Sequence, residues 1–318
     1  MPEKSSASRI FLVGIDVGST TTKIVVVDED TKQIIYSDYK RHNAAQVHSV
    51  CLALDLFLEN RTGILEKISE CGSGKSELTK GDSAKSPADV RLRVALTGSG
   101  GGEIAKLLGV PYIQEVVANS IALRSYYENV GTAIELGGQD AKMIFFHRDA
   151  DGALNVSDMR MNGSCAGGTG AFIDEIATVL KTPVEEFNAL AEQGTCVYDI
   201  SGRCGVYAKT DIQPLLNQGV ARQDLALSAF HAIAKQTIGG LAQGLDIEKP
   251  VVFEGGPLTF NPRLIRVFAE RLGLSEEETL IPERPEIMIA YGAALSLETM
   301  FAARTATYTV QDLLEKLE

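Results

Sequence analysis

The sequence has no tryptophan, only four histidines and 6% aromatic residues. So few aromatic rings leave little for the stacked bases of a single-strand nucleic-acid-binding platform. There is no excess of basic residues either, because 42 acidic against 30 basic side chains give a formal net charge of −12. That charge argues against a sequence-independent grip on nucleic-acid phosphates. We therefore expect no nucleic-acid partner.

Long apolar runs are also missing. No stretch approaches the roughly 18 to 20 apolar residues that a membrane span requires. The opening residues, MPEKSSASR, do not have the apolar middle of a secretion signal. The sequence therefore predicts a cytoplasmic protein without a membrane partner.

Cysteine is sparse, and its count of five is odd. In a chain that reads as cytoplasmic, this disfavours a disulfide framework and directs attention to metal or redox roles. We interpret Cys51 as a core residue on an apolar helix face and Cys71 as an exposed residue beside a polar loop. Cys196 has no role that we can assign, whereas Cys165 and Cys204 are candidates because of the glycine-rich segments around them.

What is present is enough apolar material for more than one core. The chain has 318 residues, of which 45% are hydrophobic, whereas domains cluster near about 100 to 150 residues. We expect an N-terminal lobe over 1–130, with a C-terminal helix over 295–318 packing back on it. A C-terminal lobe over 131–294 then includes a helix-rich insertion at 172–245.

The order of predicted elements repeats along the chain. Each half has a strand, a small-residue turn, a second strand opened by a lysine (Lys23, Lys142), a third strand and then a helix. Such a duplicated α/β unit predicts two lobes that face one another with a ligand between them. The predicted strands are 10–17, 24–27, 33–39, 93–97, 111–117, 132–136, 142–146, 155–161 and 250–253; the predicted helices are 48–59, 103–108, 119–127 and 261–272, with 72–90 as an exposed loop.

Three small-residue turns have the chemistry that phosphate or a nucleoside requires. Phosphate binds exposed backbone N–H groups and a nearby cation, and small residues let the backbone approach closely. The first turn offers amides and hydroxyls from Gly18, Ser19, Thr20 and Thr21 and a charge from Lys23, while Asp16 at a buried strand end is an acceptor for hydrated Mg²⁺. The second turn is Gly137-Gly138-Gln139-Asp140. The third, Gly255-Gly256-Pro257, would admit the flat face of a nucleoside. Each, taken alone, is also typical of an ordinary tight turn.

Neither standard nucleotide signature is present. Residues 14–23 do not have the P-loop spacing, and Glu103 stands where the third dinucleotide-motif glycine would follow Gly98-Ser99-Gly100. The turns instead resemble those of the actin, sugar-kinase and Hsp70 superfamily. In that resemblance 14–20 is the first phosphate motif, 134–140 the second and 252–257 the adenosine motif. It implies a two-lobed actin-like fold that closes on Mg²⁺ and ATP.

The two candidate cysteines both lie among glycines, Cys165 ahead of a predicted helix and Cys204 after Arg203. Helix N-termini and cations favour the thiolate, and glycine amides can donate to cluster sulfurs. Two cysteines are half of the four that a [4Fe–4S] cluster takes, so a cluster held by these alone requires a second subunit. Small buried cysteines or a bridging Zn²⁺ are the alternatives.

The segments 162–170 and 203–209 resemble the cluster-cysteine segments of the ATP-dependent activators of 2-hydroxyacyl-CoA dehydratases and the related ATPase subunits of benzoyl-CoA reductases. The resemblance runs from Gly14 to Ala294, and details at 39–42, 114–118 and 209–219 are closest to the activase modules of large multi-domain members. It implies a homodimer that holds one [4Fe–4S] cluster through Cys165 and Cys204 of each subunit.

The same resemblance implies a reaction and its partners. ATP hydrolysis would drive electron transfer to an iron–sulfur dehydratase or reductase in anaerobic metabolism, with ferredoxin or flavodoxin as the upstream donor. Asp16 would organise Mg²⁺, and Gln139 or Asp140 would orient the attacking water. Two alternatives on the same fold are a small-molecule kinase and a nucleotide-binding regulatory or filament-forming module.

Overall fold

A computed structural model describes residues 9–71, 90–150, 152, 154–162, 167–302 and 305–317, with the backbone alone for 61–71. Most of the polar loop expected at 72–90 lies outside these residues, as does Cys165. In chain order the elements are β1 Arg9–Val17, β2 Thr21–Asp28, β3 Ile34–Arg41, α1 Gln46–Cys71, β4 Val90–Thr97, α2 Gly101–Leu108, α3 Glu115–Tyr126, β5 Thr132–Leu136, β6 Ala141–Arg148, β7 Leu154–Met161, α4 Gly170–Val179, α5 Phe187–Glu192, α6 Gly205–Asn217, α7 Arg222–Leu241, β8 Val251–Glu254, α8 Gly256–Phe260, α9 Pro262–Leu272, β9 Thr279–Leu280, α10 Met288–Thr299 and α11 Val310–Leu314.

The chain divides into two compact units. Unit 1 comprises Met1–Ala122 and Ile289–Glu318, and unit 2 comprises Leu123–Met288. The chain leaves unit 1 within α3 and returns to it at the start of α10, whereas the sequence analysis places these bounds at 130/131 and 294/295. The end of the chain contains the last part of α10, an isolated bridge between Leu92 and Tyr308, and α11.

Unit 1 contains a four-stranded sheet in the order β3-β2-β1-β4. The strands β1 and β2 form an antiparallel hairpin, β3 pairs antiparallel with β2, and β4 lies parallel to β1. From Phe11 to Val17 every residue of β1 is buried, as expected for a central strand that is covered on both faces. Helices α1, α2 and α11 contribute Leu54, Leu108 and Leu313 to its apolar core.

Unit 2 repeats this arrangement in a five-stranded sheet ordered β7-β6-β5-β8-β9. Again an antiparallel pair, β5 and β6, is extended by an antiparallel third strand, while β8 lies parallel to β5. The expected helix-rich insertion contains α4 to α7, whose apolar side chains share one core with the sheet. The matching strand order and directions confirm the duplicated α/β fold.

Helix ends follow local sequence signals. Helix α2 ends at Leu108 and is capped by Gly109, whose φ of 69° is left-handed and costs glycine little. Helix α9 begins with proline at its first position and is capped by Gly273, with a φ of 61°. None of the described helices is both long and apolar enough to cross a bilayer.

One predicted strand is wrong. The sequence predicts a strand over 111–117, but only Tyr112 forms a bridge, with Leu96 of β4, and α3 already begins at Glu115. Within α3 the backbone of Ala118 packs against Gly292 of α10, where an added Cβ would overlap the Ala118 carbonyl. This close packing between helices outweighs the strand preference of the β-branched residues near the start of α3.

Candidate functional site

The first phosphate turn joins β1 to β2 and is closed by a hydrogen bond from the Gly18 N–H to the Thr21 carbonyl, 2.9 Å long. Lys23 and Asp16 face each other beside it, with Lys23 Nζ 2.7 Å from Asp16 Oδ2. Of the predicted phosphate residues, Ser19 is exposed and Thr20 half-buried. The turn therefore presents polar groups at the surface, with a nearly buried ion pair behind them.

Thr21 is placed differently from its neighbours in the motif. It is buried as the first residue of β2, so its hydroxyl is less accessible than the predicted role in phosphate binding suggests. Its carbonyl instead closes the turn by accepting from Gly18. Thr21 thus contributes to the shape of the turn.

A second glycine turn borders the Asp16 carboxylate in the same unit. Gly98, directly after β4, has a φ of 90°, and a Cβ there would overlap Asp16 Oδ1 and the Val17 carbonyl. The Gly98 carbonyl accepts from the Tyr112 hydroxyl at 3.2 Å. Burial, followed by the charges of Glu115 and Asp16, raises the pKa of Tyr112, which keeps the hydroxyl protonated as a donor. Gly98 was not among the residues that the sequence assigned to the nucleotide site.

The second phosphate turn joins β5 to β6 in unit 2. The Gly137 N–H donates to the Asp140 carbonyl at 2.8 Å, and a Cβ on Gly137 would overlap Asp140 Oδ1. Gly137 and Gly138 are half-buried, whereas the Gln139 side chain is exposed. Both candidates for orienting water therefore lie at this turn, but in different surroundings.

Asp140 is held by a buried lysine that the sequence analysis did not assign to the site. Lys142 Nζ lies 2.5 Å from Asp140 Oδ2 and 2.7 Å from Glu135 Oε2. Glu135 of β5 and Lys142 of β6 stand opposite each other in the sheet. Asp16 of β1 and Lys23 of β2 do the same in unit 1. The available signal was the shared spacing, since an acid precedes a lysine by seven positions in both hairpins.

The adenosine motif lies close to the second phosphate turn. Gly255, with a φ of 94°, leaves room for the Leu136 carbonyl, which a Cβ would overlap. Pro257 approaches Gly170 at the start of α4, where a Cβ would lie 3.0 Å from the proline ring. Gly256 is buried at the start of α8. Unit 2 thus brings two of the three predicted nucleotide motifs together.

The N-terminus of α4 is anchored directly to the second turn. The Gly170 N–H donates to the Gly137 carbonyl at 3.0 Å, and the Ala171 N–H donates to the Gly138 carbonyl at 2.8 Å. These are helix N-terminal amides without partners inside their own helix. The second turn is therefore hydrogen-bonded directly to the start of α4, which begins five positions after Cys165.

Cys204 is the one candidate cluster cysteine among the described residues. It is a free, half-buried cysteine at the N-cap of α6, and its side chain makes no capping hydrogen bond. The chain after Cys165 lies close by, because a Cβ on Gly167 would overlap the Arg203 carbonyl. A Cβ on Gly205 would overlap the carboxylate of Glu175 in α4. Glycine at position 167 lets the segment after Cys165 approach the backbone beside Cys204, and glycine at position 205 makes room for the Glu175 side chain of α4.

Two further cysteines have described side chains and lie elsewhere, whereas the side chain of Cys71 is outside the described part of the chain. Cys51 is half-buried in α1, and Cys196 is exposed in the chain between α5 and α6. The backbone N–H of Cys196 donates to the Asp224 carboxylate at 3.0 Å. That bond and its neighbour from Thr195 lower the pKa of Asp224. Cys196 is therefore part of a surface loop that Asp224 holds in place.

Comparison with known proteins places these motifs in a family. The model of the BadF/BadG/BcrA/BcrD ATPase family matches residues 13–295. The activator of lactoyl-CoA dehydratase from Anaerotignum propionicum is 29% identical over 286 residues, covering 90% of this chain and 96% of that protein.

Solved structures agree on the fold. Component A of (R)-2-hydroxyglutaryl-CoA dehydratase from Acidaminococcus fermentans gives a TM-score of 0.72 at 26% identity, covering 90% of this chain and 96% of that chain. The activator of 2-hydroxyisocaproyl-CoA dehydratase from Clostridium difficile, with bound ADPNP, gives a TM-score of 0.64 at 22% identity, covering 96% of both chains. These likenesses confirm the actin-like ATPase fold that the three motifs predict.

Proposed function

The chain belongs to the BadF/BadG/BcrA/BcrD ATPase family, and we propose that it is an ATP-hydrolysing activator that transfers electrons to an iron–sulfur dehydratase or reductase acting on CoA thioesters. The observation that carries the proposal is the position of α4. Its first amides bond to the second phosphate turn, and the segment just before it packs against the backbone next to Cys204. The proposed phosphate turn and the proposed thiol site are thereby connected through one helix.

ATP binding is proposed to use the two turns and the adenosine motif. In unit 1 Lys23 supplies positive charge and Ser19 and Thr20 supply hydroxyls and amides to phosphate oxygens. The carboxylate of Asp16 is the hard oxygen donor that Mg²⁺ prefers, and one such carboxylate together with phosphates and water is a common magnesium donor set. These residues fit the metal. In unit 2 the glycines of the second turn and of the adenosine motif allow close approach to phosphate and nucleoside.

The proposed chemical step is attack by water on the γ-phosphorus, with cleavage of the bond to the β–γ bridging oxygen. Gln139 or Asp140 would hold the water in line with that bond. The Asp140 carboxylate already accepts from Lys142 at 2.5 Å, whereas the Gln139 amide is exposed and can donate and accept. We therefore assign water positioning to Gln139.

The donor set also fits an iron–sulfur cluster at the cysteine segments. Cys204 is partly accessible at the N-cap of α6, and a thiolate there would be a ligand of the kind that iron–sulfur clusters use. Glycine at positions 167 and 205 lets the Arg203 carbonyl and the Glu175 carboxylate of α4 approach the two segments closely. Cys165, which precedes Gly167 by two positions, would be the second ligand. With two thiolates from each chain, one [4Fe–4S] cluster per homodimer is the arrangement that completes the coordination.

When bound, a [4Fe–4S] cluster stores and releases single electrons, which no side chain in this site does. The chain's own contribution would be mechanical. Movement of the second turn upon ATP binding or hydrolysis would shift α4 and the glycine segment at its start. That shift changes hydrogen bonding and solvent access around Cys204, which are levers on a cluster's potential. A ferredoxin or flavodoxin would supply the electrons.

The test is the iron and sulfide content of protein prepared without oxygen, followed by an EPR spectrum after reduction. We expect about four irons and four sulfides per dimer and a reduced-cluster signal. Cys165→Ala and Cys204→Ala should abolish both, whereas the matched control Cys196→Ala, at an exposed cysteine, should retain them. Iron-free wild-type protein, or full cluster content in Cys204→Ala, would overturn the proposal.

A further inference from the structure

His42, which directly follows β3, is buried at 5% exposure and contacts the first phosphate turn twice. Its Nε2 lies 3.0 Å from the Gly18 carbonyl oxygen, and its backbone N–H donates to the Thr20 carbonyl at 3.1 Å. One residue thus binds two of the carbonyls of a three-residue turn. Neither the motif nor the phosphate chemistry described above requires a histidine there.

The protonation of the ring is determined by its second contact. Nδ1 accepts the backbone N–H of Ala44 at 3.1 Å, so this nitrogen carries a lone pair and no proton. The proton of the neutral ring is then on Nε2, which donates to Gly18. The Ala44 amide therefore selects the tautomer that can bind the turn.

The backbone after His42 adopts an unfavourable conformation to make this contact. Asn43 has a φ of 47° and Ala44 a φ of 66°. Asparagine tolerates the left-handed region, but alanine rarely occupies it because its Cβ crowds the carbonyl. Local backbone strain that the surrounding structure maintains is characteristic of functional positions.

The contact has a geometric consequence for phosphate binding. The peptide unit between Gly18 and Ser19 is trans and planar, so its N–H points opposite to its carbonyl. Because Nε2 of His42 binds the Gly18 carbonyl, the Ser19 N–H must point away from the imidazole. An amide fixed in direction before phosphate arrives does not lose further conformational freedom on binding.

We propose that His42 is a positioning residue for ATP: its Nε2–H holds the Gly18 carbonyl and thereby aims the Ser19 amide at a phosphate oxygen. The inference rests on the proposed nucleotide site. His42 itself touches neither the water nor the reacting phosphorus in this account. Its loss should therefore weaken ATP binding while the turnover of bound ATP is largely retained.

Two substitutions separate the contacts of the ring. In His42→Gln the amide nitrogen can reach the position of Nε2 and donate to Gly18. In His42→Asn the shorter amide can accept the Ala44 N–H but cannot reach Gly18. We expect His42→Asn to raise KM for ATP about tenfold, the equivalent of one lost hydrogen bond, with kcat little changed. His42→Gln should restore most of the affinity.

Thermal unfolding of both variants and ¹⁵N spectra of the wild-type imidazole complete the test. A KM for His42→Asn equal to that of wild type, equal KM values for the two variants at equal Tm, or an Nδ1–H tautomer would overturn the role of His42. Failure of the proposed nucleotide site would look different. In that case wild-type protein would not bind ATP, or Asp16→Asn would leave ATP hydrolysis unchanged.

Discussion

Lys142 stands directly opposite Glu135 in the β5–β6 hairpin, with its Nζ 2.7 Å from Glu135 Oε2. The same relationship recurs in unit 1, where Lys23 stands opposite Asp16 with Nζ 2.7 Å from Oδ2. The duplicated hairpin therefore carries one charge pair beside each glycine turn. Unit 2 adds the carboxylate of Asp140, so its group of three has a net negative charge whereas the pair in unit 1 is neutral.

Replacing Lys142 with methionine should destabilise the protein strongly. The side chains of Lys142 and Glu135 are only 6% and 7% exposed, and the substitution leaves a buried carboxylate without its countercharge. We expect the free energy of unfolding in urea to fall by about 3 to 5 kcal/mol. The control is Lys106→Met, because the pair of Lys106 with Glu103 is 75% and 83% exposed and should contribute less than about 1 kcal/mol. Similar losses in the two variants would contradict the argument.

Gly255→Ala should lower the free energy of unfolding by more than the left-handed backbone at this position alone predicts. Gly255 and Gly244 have similar φ angles, 94° and 89°, but a Cβ on Gly255 overlaps the Leu136 carbonyl whereas a Cβ on Gly244 meets nothing within 4 Å. We expect Gly244→Ala to lose about 1 to 2 kcal/mol of unfolding free energy. Gly255→Ala should lose several kcal/mol more, and its ATP affinity should fall. Equal urea midpoints for the two variants would show that the Leu136 carbonyl moves aside freely.

Gln139→Ala and Asp140→Asn should separate catalysis from stability. If Gln139 positions the water, Gln139→Ala lowers kcat for ATP hydrolysis by roughly 10²-fold with unchanged Tm and ATP affinity. Asp140→Asn should chiefly lower Tm, because it weakens the bond to Lys142. The measurement is steady-state phosphate release with a parallel thermal melt. Gln193→Ala, at an exposed glutamine of unit 2 outside the turns, is the control. A large loss of kcat in Asp140→Asn alone would assign the water to Asp140 instead.

Much of the fold follows from the sequence because duplicated hairpins leave local signals. Buried strands such as β1 read as continuous apolar runs, and each small-residue turn marks where a strand ends. The predicted strand at 111–117 fails for a reason that lies far away in the chain. The close packing of Ala118 on Gly292 joins residues more than 170 positions apart, and no local pattern reports such a contact.

The site was predictable in its residue types and less so in its pairings. Motif chemistry located Asp16 and Lys23 but assigned them separately to metal and phosphate, whereas in the structure they bind each other. Glu135 lies within the second phosphate motif and Lys142 opens the predicted strand after it, but their pairing was not predicted, because the sequence does not show which side chains meet across the two strands. The contact of His42 with the turn was not predicted, because it binds backbone carbonyls 22 to 24 positions earlier. Every residue has such a carbonyl, so residue types do not indicate which one will be bound.

Asp28 should make stability depend on pH in the acid range. Burial of the carboxylate by itself raises its pKa. The Thr31 N–H and hydroxyl and the Arg9 guanidinium together lower it by more, so that the net pKa of Asp28 lies below the ordinary value of 3.8. A depressed folded-state pKa stabilises the fold above the unfolded pKa, and that contribution disappears as pH falls through the folded value. Asp28→Asn should lose about 1 to 3 kcal/mol near neutral pH.

The check for Asp28 is a series of urea unfolding curves from pH 6 to pH 3. The difference in unfolding free energy between wild type and Asp28→Asn should stay constant down to about pH 4 and shrink below it. Asp55→Asn, at an exposed aspartate of α1, supplies the control with little difference throughout. A gap that widens toward low pH would mean that the pKa of Asp28 is raised rather than lowered.

Ala44→Gly should stabilise the protein without weakening ATP binding. The φ of 66° at Ala44 costs an alanine about 1 to 2 kcal/mol relative to the right-handed region, and glycine removes that cost while adding about 0.5 to 1 kcal/mol of unfolded-state entropy. The net gain expected in unfolding free energy is about 0.5 to 1 kcal/mol. The backbone N–H at position 44 still donates to Nδ1 of His42, so KM for ATP should not change. Ala45→Gly, one position later and without a positive φ, should instead be destabilising, and a loss of stability in both variants would show that the backbone at Ala44 carries no strain.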